Sequence, residues 1–261
     1  MERMKLFNNC VVIAQARPIK GKKVDSHICS ILWDRISEQF IRITCPFSLE
    51  RKAMKRWDII TFLGDKDNVL NNDTRKETWG IYGNEYKIHK DKLTNKDKNQ
   101  IHKDILKNYA KYDCENKLNK ERKSIGILIP NRSTIKIYTN NTHTEKEIET
   151  IKRMKEEGIY YSDYNYKIAG KKYENKYIKS EEKYFDKTLV ARDIIEAERQ
   201  NRHKNINQII NNYKNPYIVI GNTPFKRNTF VAIGILSAPE KYIEDYALET
   251  DYQAKLQIKL W

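Results

Sequence analysis

Residues 216–239 read PYIVIGNTPFKRNTFVAIGILSAP. Two short runs, Tyr-Ile-Val-Ile-Gly at 217–221 and Phe-Val-Ala-Ile-Gly-Ile-Leu at 230–236, are rich in β-branched and aromatic residues. Runs of that length and composition predict buried strands rather than helix. The connection 222–229 is polar and carries Pro224, Lys226 and Arg227, so it reads as a loop with a basic tip. Pro216 and Pro239 flank the unit, since proline cannot donate into a ladder. Gly234 inside the second run predicts a bulge or a sharp bend. The hairpin is therefore expected to be the most buried part of a small sheet or barrel.

Working back to the N-terminus, residues 7–88 read as all-β. Five candidate strands, 10–16, 27–33, 40–45, 58–63 and 79–88, are separated by turn signals at 18–23, 34–37 and 65–73. Arg42 falls on the face opposite Ile41 and Ile43. Five short strands in this span suit a Greek-key barrel of the OB type, the alternative being one edge sheet of a larger domain. Residues 90–122 form a polar, lysine-rich insert. Thr94 is placed to cap a helix whose apolar positions are Ile101, Ile105, Leu106 and Tyr109, and 113–123 reads as a linker.

In the second half, 124–130 and 134–139 read as strands. The run Ile-Gly-Ile-Leu occurs at 125–128 and again at 233–236. A helix is predicted over 144–157, with Thr144 and Glu147 as a capping box and Gly158 as the stop. Residues 160–184 interleave tyrosine with lysine around a turn at Gly170. A longer helical stretch is predicted over 186–213, with Arg199–Lys204 as a polar middle. Residues 256–261 alternate and read as an edge strand. The expected fold class is α+β: two small β-barrel or OB-like modules with helical insertions. The expected units are 1–89, an insert at 90–123, and 124–261.

The segments Cys10-Val-Val-Ile-Ala-Gln-Ala-Arg17, Phe40-Ile-Arg-Ile-Thr44, Trp57-Asp-Ile-Ile-Thr-Phe62 and Asp73-Thr-Arg-Lys-Glu-Thr-Trp79 resemble the start of the bacterial and archaeal dual OB-containing domain proteins. Tyr217-Ile-Val-Ile-Gly-Asn-Thr223 and Phe230–Leu236 resemble the end of that family's second module. The resemblance implies two barrel-like modules joined by helical insertions and a nucleic-acid-binding role, with no catalytic residues to carry over. The family pattern has Cys or His near the second-half helix, whereas this chain has Arg192-Asp193-Ile-Ile-Glu196 there, so no metal is expected.

The chain of 261 residues carries a net charge of +15, with a pI near 9.4 and a mean hydropathy of −0.82. Such a basic excess makes nucleic acid the leading partner class, although a lysine-, asparagine- and isoleucine-rich composition also follows from an AT-rich genome. No run is long and apolar enough to cross a membrane, and the first residues lack a signal-peptide core. Cys10, Cys29, Cys45 and Cys114 are isolated, so they read as reduced core residues of a cytoplasmic protein without a zinc site.

Three groups of residues are candidates for phosphate and base contact. The first is Tyr166, Lys171, Lys172, Tyr173, Lys176 and Tyr177, where rings stack on unpaired bases and lysines track phosphates. Its competing reading buries tyrosines and leaves lysines in water. The second is the basic helix face Arg192, Arg199, Arg202, His203 and Lys204, and the third is the hairpin tip Lys226–Arg227. The expected partner is single-stranded DNA or RNA, with no cofactor. The other function classes are an interaction subunit docking on an enzyme of an antiviral or mobile-element complex, and a metal-dependent nuclease. The nuclease would use Asp58, Asp73 and Glu77, or Asp193 and Glu196. Asp73 reads better as a turn residue bonded to its own backbone, and Glu77 with Arg75 as a surface ion pair.

Overall fold

The computed structural model describes residues 3–16, 27–46, 54–69, 73, 75–110, 115–129, 135–139, 176–180, 185–189, 191, 213, 215–222 and 228–238. Five strands, β1 (Met4–Gln15), β2 (His27–Asp34), β3 (Gln39–Pro46), β4 (Ile59–Asp65) and β5 (Thr78–Ile88), close into a barrel in the order β1-β2-β3-β5-β4. A closed five-stranded barrel is consistent with the OB type expected. The N-terminal half of β1 pairs with β4 and its C-terminal half with β2, and β3 runs parallel to β5. The strand expectations for 7–88 hold to within a few residues except at β1, which starts six residues earlier than expected.

Strand periodicity sends alternate residues inward. Phe7, Cys10, Val12, Leu32, Ile41, Ile43, Ile60, Phe62, Trp79 and Ile81 fill the barrel. Phe7 stacks on Phe62 at 4.9 Å between ring centroids and meets Trp79 edge-on at 5.1 Å. Trp33 and Trp79 are buried as their strand positions predict, whereas Trp57 is only partly buried. Trp57 sits just before β4 at φ 72°, outside any ladder that would turn its ring inward.

After the barrel come α1 (Asn95–Tyr109) and α2 (Glu115–Lys120). Thr94 caps α1 as expected: its hydroxyl accepts from the Asp97 amide at 3.1 Å and Asp97 accepts from the Thr94 amide at 3.0 Å. The linker expected at 113–123 is corrected by α2, whose Leu118 is fully buried. Leu118 packs against Gly126, where a Cβ would lie 2.5 Å from Leu118 Cδ1. That apolar contact holds a segment whose composition is otherwise that of a loop.

The remaining strands are β6 (Ile125–Leu128), β7 (Ile135–Thr139), β8 (Lys176–Ser180), β9 (Phe185–Leu189), β10 (Asn215–Asn222) and β11 (Phe230–Ala238), in the order β6-β10-β11-β9-β8-β7. The hairpin read first is β10–β11, and both its faces are buried. The two Ile-Gly-Ile-Leu runs are β6 and the middle of β11, one on each side of β10. The register shift opposite Val219 and Ile220 is the bulge expected near Gly234. A Cβ on Gly234 would lie 2.7 Å from Ala14 Cβ of the barrel, so glycine there permits close approach of the two sheets.

The helix expected over 186–213 is corrected at its start. Residues 185–189 form a strand, paired antiparallel with β8 and, at Leu189, parallel with β11. Pairing on both sides overrides the helical spacing of Val190, Ile194 and Ala197. Apart from Ala191, which bridges to Ala16 of the barrel, and Tyr213, the rest of that stretch, the helix expected at 144–157 and the strand expected at 256–261 lie outside the described residues.

The second sheet repeats the barrel's pairing order. The two halves of β1 pair with β4 and β2; likewise β6 pairs with β10 and β7 with β8. The parallel pair β3–β5 has its counterpart in β9–β11. One apolar core joins α1, the hairpin β10–β11 and the outer barrel residues Val11, Ile13, Ile31, Trp33 and Phe40.

Candidate nucleic-acid interface

Of the residues singled out for nucleic-acid contact, Lys176 and Tyr177 belong to β8. Tyr166, Lys171, Lys172, Tyr173, Arg192, Arg199, Arg202, His203, Lys204, Lys226 and Arg227 lie outside the described residues. The β7–β8–β9 register sets Tyr177 beside Tyr138 and Thr188, and Lys179 beside Lys136 and Asp186. These positions alternate along the ladder with that of Lys176, the partner of Leu189, which is fully buried. Lys179 lies in the tyrosine- and lysine-rich stretch and stands two residues from Tyr177 on the same strand. Lys136 and Tyr138 were not singled out in the sequence, and only the pairing of β7 with β8 brings them beside it.

The corresponding face of the first barrel is covered. Register sets Trp33 opposite Phe40, Ile31 opposite Arg42 and Cys29 opposite Thr44 on the outer side of β2 and β3. Aromatic rings with an arginine make a stacking platform of the kind that binds single strands. Here α1 occupies it. Tyr109 packs on Phe40 at 4.5 Å and on Trp33 at 6.1 Å between centroids, and its hydroxyl accepts from the Phe40 amide at 3.1 Å. Trp33 and Arg42 are 1% and 2% exposed.

Arg42 belongs to a buried polar cluster at the seam of the two sheets. Its Nη2 donates to the Ser124 carbonyl at 2.9 Å and to Ser124 Oγ at 3.2 Å; Nη1 donates to the Asn222 carbonyl at 3.3 Å and to Cys29 Sγ at 3.7 Å. Arg75 Nη1 donates to the Asn222 carbonyl at 2.5 Å and to Asn222 Oδ1 at 3.0 Å. Asp73 accepts from Arg75 Nε at 2.7 and 2.8 Å and from Arg75 Nη2, and Thr78 Oγ1 donates to it at 3.2 Å. Burial alone would raise the Asp73 carboxyl, but the hydrogen bonds and charge of Arg75 hold it below the usual carboxylate range.

This cluster bears on the carboxylates considered for a nuclease. Asp73 accepts from the Arg75 amide at 3.1 Å, the turn bond expected of it, and its oxygens are taken by Arg75 and Thr78. Asp58 accepts from the Lys55 amide at 2.7 Å. Arg75 pairs with Asp73 in the interior rather than with Glu77 at the surface, because the second sheet covers that side of the barrel. No group of three metal-ligating side chains occurs among the described residues.

A second buried contact ties α1 to the hairpin. His102 Nδ1 and the Tyr217 hydroxyl share a hydrogen bond at 2.8 Å, and the His102 ring meets Trp57 edge-on at 5.1 Å. Burial, and then the charge of Arg56, pushes the His102 imidazole down to about 4. It is neutral at pH 7.

No family model, curated protein or solved structure matches the chain. No helix among the described residues is long and apolar enough to cross a membrane.

Proposed function

We propose that the chain binds single-stranded DNA or RNA with little sequence preference, through its second sheet rather than its first barrel. The observation that carries this is the matching order of strand pairing in the two sheets. Under that correspondence the second sheet is a second OB-like module whose first strand is split into β6 and β7. OB barrels bind oligonucleotides on the face of their second and third strands and through the connections between strands one and two and between four and five. The equivalents here are β8 and β9, residues 140–175, and residues 223–229. The first connection holds Tyr166, Lys171, Lys172 and Tyr173; the second holds Lys226 and Arg227. Tyr138, Tyr177, Lys136 and Lys179 share one parity in the β7–β8 ladder. The charge of +15 supports the same partner.

The two-module organisation is also what the resemblance to the dual OB-containing domain proteins implies. A protein partner is the second reading, favoured by Leu6 and Tyr82, which are 57% and 56% exposed on the barrel wall. Titration of the full chain with labelled oligo-dT and oligo-U at low salt tests the first reading. The expected result is binding that the double variant Tyr138→Ala, Tyr177→Ala weakens by about 1–3 kcal/mol for each base stack removed. Absence of binding to either polymer would refute it and leave the protein-partner reading.

A further inference from the structure

We propose that Cys29 is an oxidation site, whose thiol a hydroperoxide converts to a sulfenic acid held by Arg42 and Thr44. Cys29 is a free, partly buried cysteine on β2, next to the seam between the two sheets. Arg42 Nη1 already donates to its sulfur at 3.7 Å, and Thr44 is its cross-strand partner. Arg42 Nε and Thr44 Oγ1 are both buried without a hydrogen-bond partner among the described residues. Their residues are 2% and 8% exposed. Buried donors left unpaired are costly and call for an explanation. Thr44 stands directly opposite Cys29 and Arg42 reaches the sulfur through Nη1, on the same face of the β2–β3 ladder, while Arg42 Nε lies on the Nη2 edge of the guanidinium, toward Ser124. A thiol is a poor acceptor for the Thr44 hydroxyl and for Nη1. A sulfur-bound oxygen, neutral or ionised, is a good one.

The step balances without a metal or cofactor. The sulfur attacks one oxygen of the hydroperoxide, an S–O bond forms and the O–O bond breaks. The departing oxygen leaves as water or alcohol, carrying the proton the thiol gives up. Sulfur loses two electrons and the peroxide gains them. The new oxygen competes for the same guanidinium that holds the Ser124 and Asn222 carbonyls, so oxidation acts directly on the contact between the two sheets. It does so whatever the second sheet binds.

Cys10 supplies an internal control. It is fully buried in the barrel, and burial, with the charge of Asp34, raises its thiol to about 12. The test treats the full chain with hydrogen peroxide in the presence of dimedone, which traps sulfenic acids, and maps adducts by peptide mass spectrometry. Cys29 is expected to label at least about tenfold faster than Cys10. Thr44→Val removes an unpaired buried hydroxyl at similar volume and is expected to keep the fold while lowering the Cys29 adduct several-fold. Arg42→Lys, which keeps the charge but removes the Nη1 donor on the sulfur, is expected to lower it too and decides the matter if the valine variant misfolds. Labelling of Cys29 no faster than Cys10, or at the wild-type rate in the folded variant, overturns the proposal.

Discussion

His102 makes the stability of this chain depend on pH in a window of its own. Its imidazole is buried between α1 and the hairpin and is pushed down to about 4 from an ordinary 6.5. The folded state therefore disfavours the proton that the unfolded chain takes up. Stability is fully present above the unfolded value, is lost progressively from about pH 6.5 to about pH 4, and loses nothing further from this group below that. One proton of difference gives a slope of about 1.4 kcal/mol per pH unit, and the window sums to about 3 kcal/mol. The assay is urea unfolding at a series of pH values, for the wild type and for His102→Gln, which retains a hydrogen-bonding partner for Tyr217 at neutral pH. The difference between the two slopes isolates this histidine from the other titrating groups. Equal slopes for both proteins between pH 6.5 and 4.5 would refute the reasoning.

Gly234→Ala forces a methyl to within 2.7 Å of Ala14 Cβ, and is expected to destabilise by about 1–3 kcal/mol in the same unfolding assay. Arg75→Leu strands the buried Asp73 carboxylate and is expected to cost about 3–5 kcal/mol. Neutralising Asp73 as well, in the double variant Asp73→Asn, Arg75→Leu, should recover part of that loss, and equal losses in the two variants would contradict the account. Because Arg75 depresses the Asp73 carboxyl, the stability from that pair is present above about pH 4. It is lost as the pH falls through the folded-state value, below the His102 window.

Local chemistry made the barrel legible. β-branched and aromatic runs marked its five strands, and Thr94 with the spacing of Ile101, Ile105 and Tyr109 marked α1. Gly234 announced its bulge because glycine in a strand has few other uses. What local chemistry could not show was which faces meet. Arg42 was correctly set opposite Ile41 and Ile43, but such a face ordinarily belongs to water. Here α1 and the second sheet cover it, and Arg42 becomes the centre of a buried cluster with Ser124 and Asn222, residues far along the chain. The same holds for Arg75, read as a surface ion-pair partner and found inside. β9 was read as the start of a helix because its pairing partners lie on two separate strands, and no local pattern encodes that. Lys136 and Tyr138 escaped notice for the same reason: their relation to Tyr177 and Lys179 exists only in the register.

The salt dependence of oligonucleotide affinity tests most directly the claim that the second sheet binds a single strand. Neutralised phosphates release counterions, so log K falls linearly with log salt, with a slope of about −0.7 per neutralised phosphate for single strands. The measurement compares the wild-type chain with the double variant Lys136→Ala, Lys179→Ala, across low to moderate salt. The account predicts tight low-salt binding by the wild type and a shallower slope for the variant, by about 0.7 for each phosphate it no longer neutralises. An unchanged slope in the folded variant, or no binding by the wild type at low salt, would contradict it.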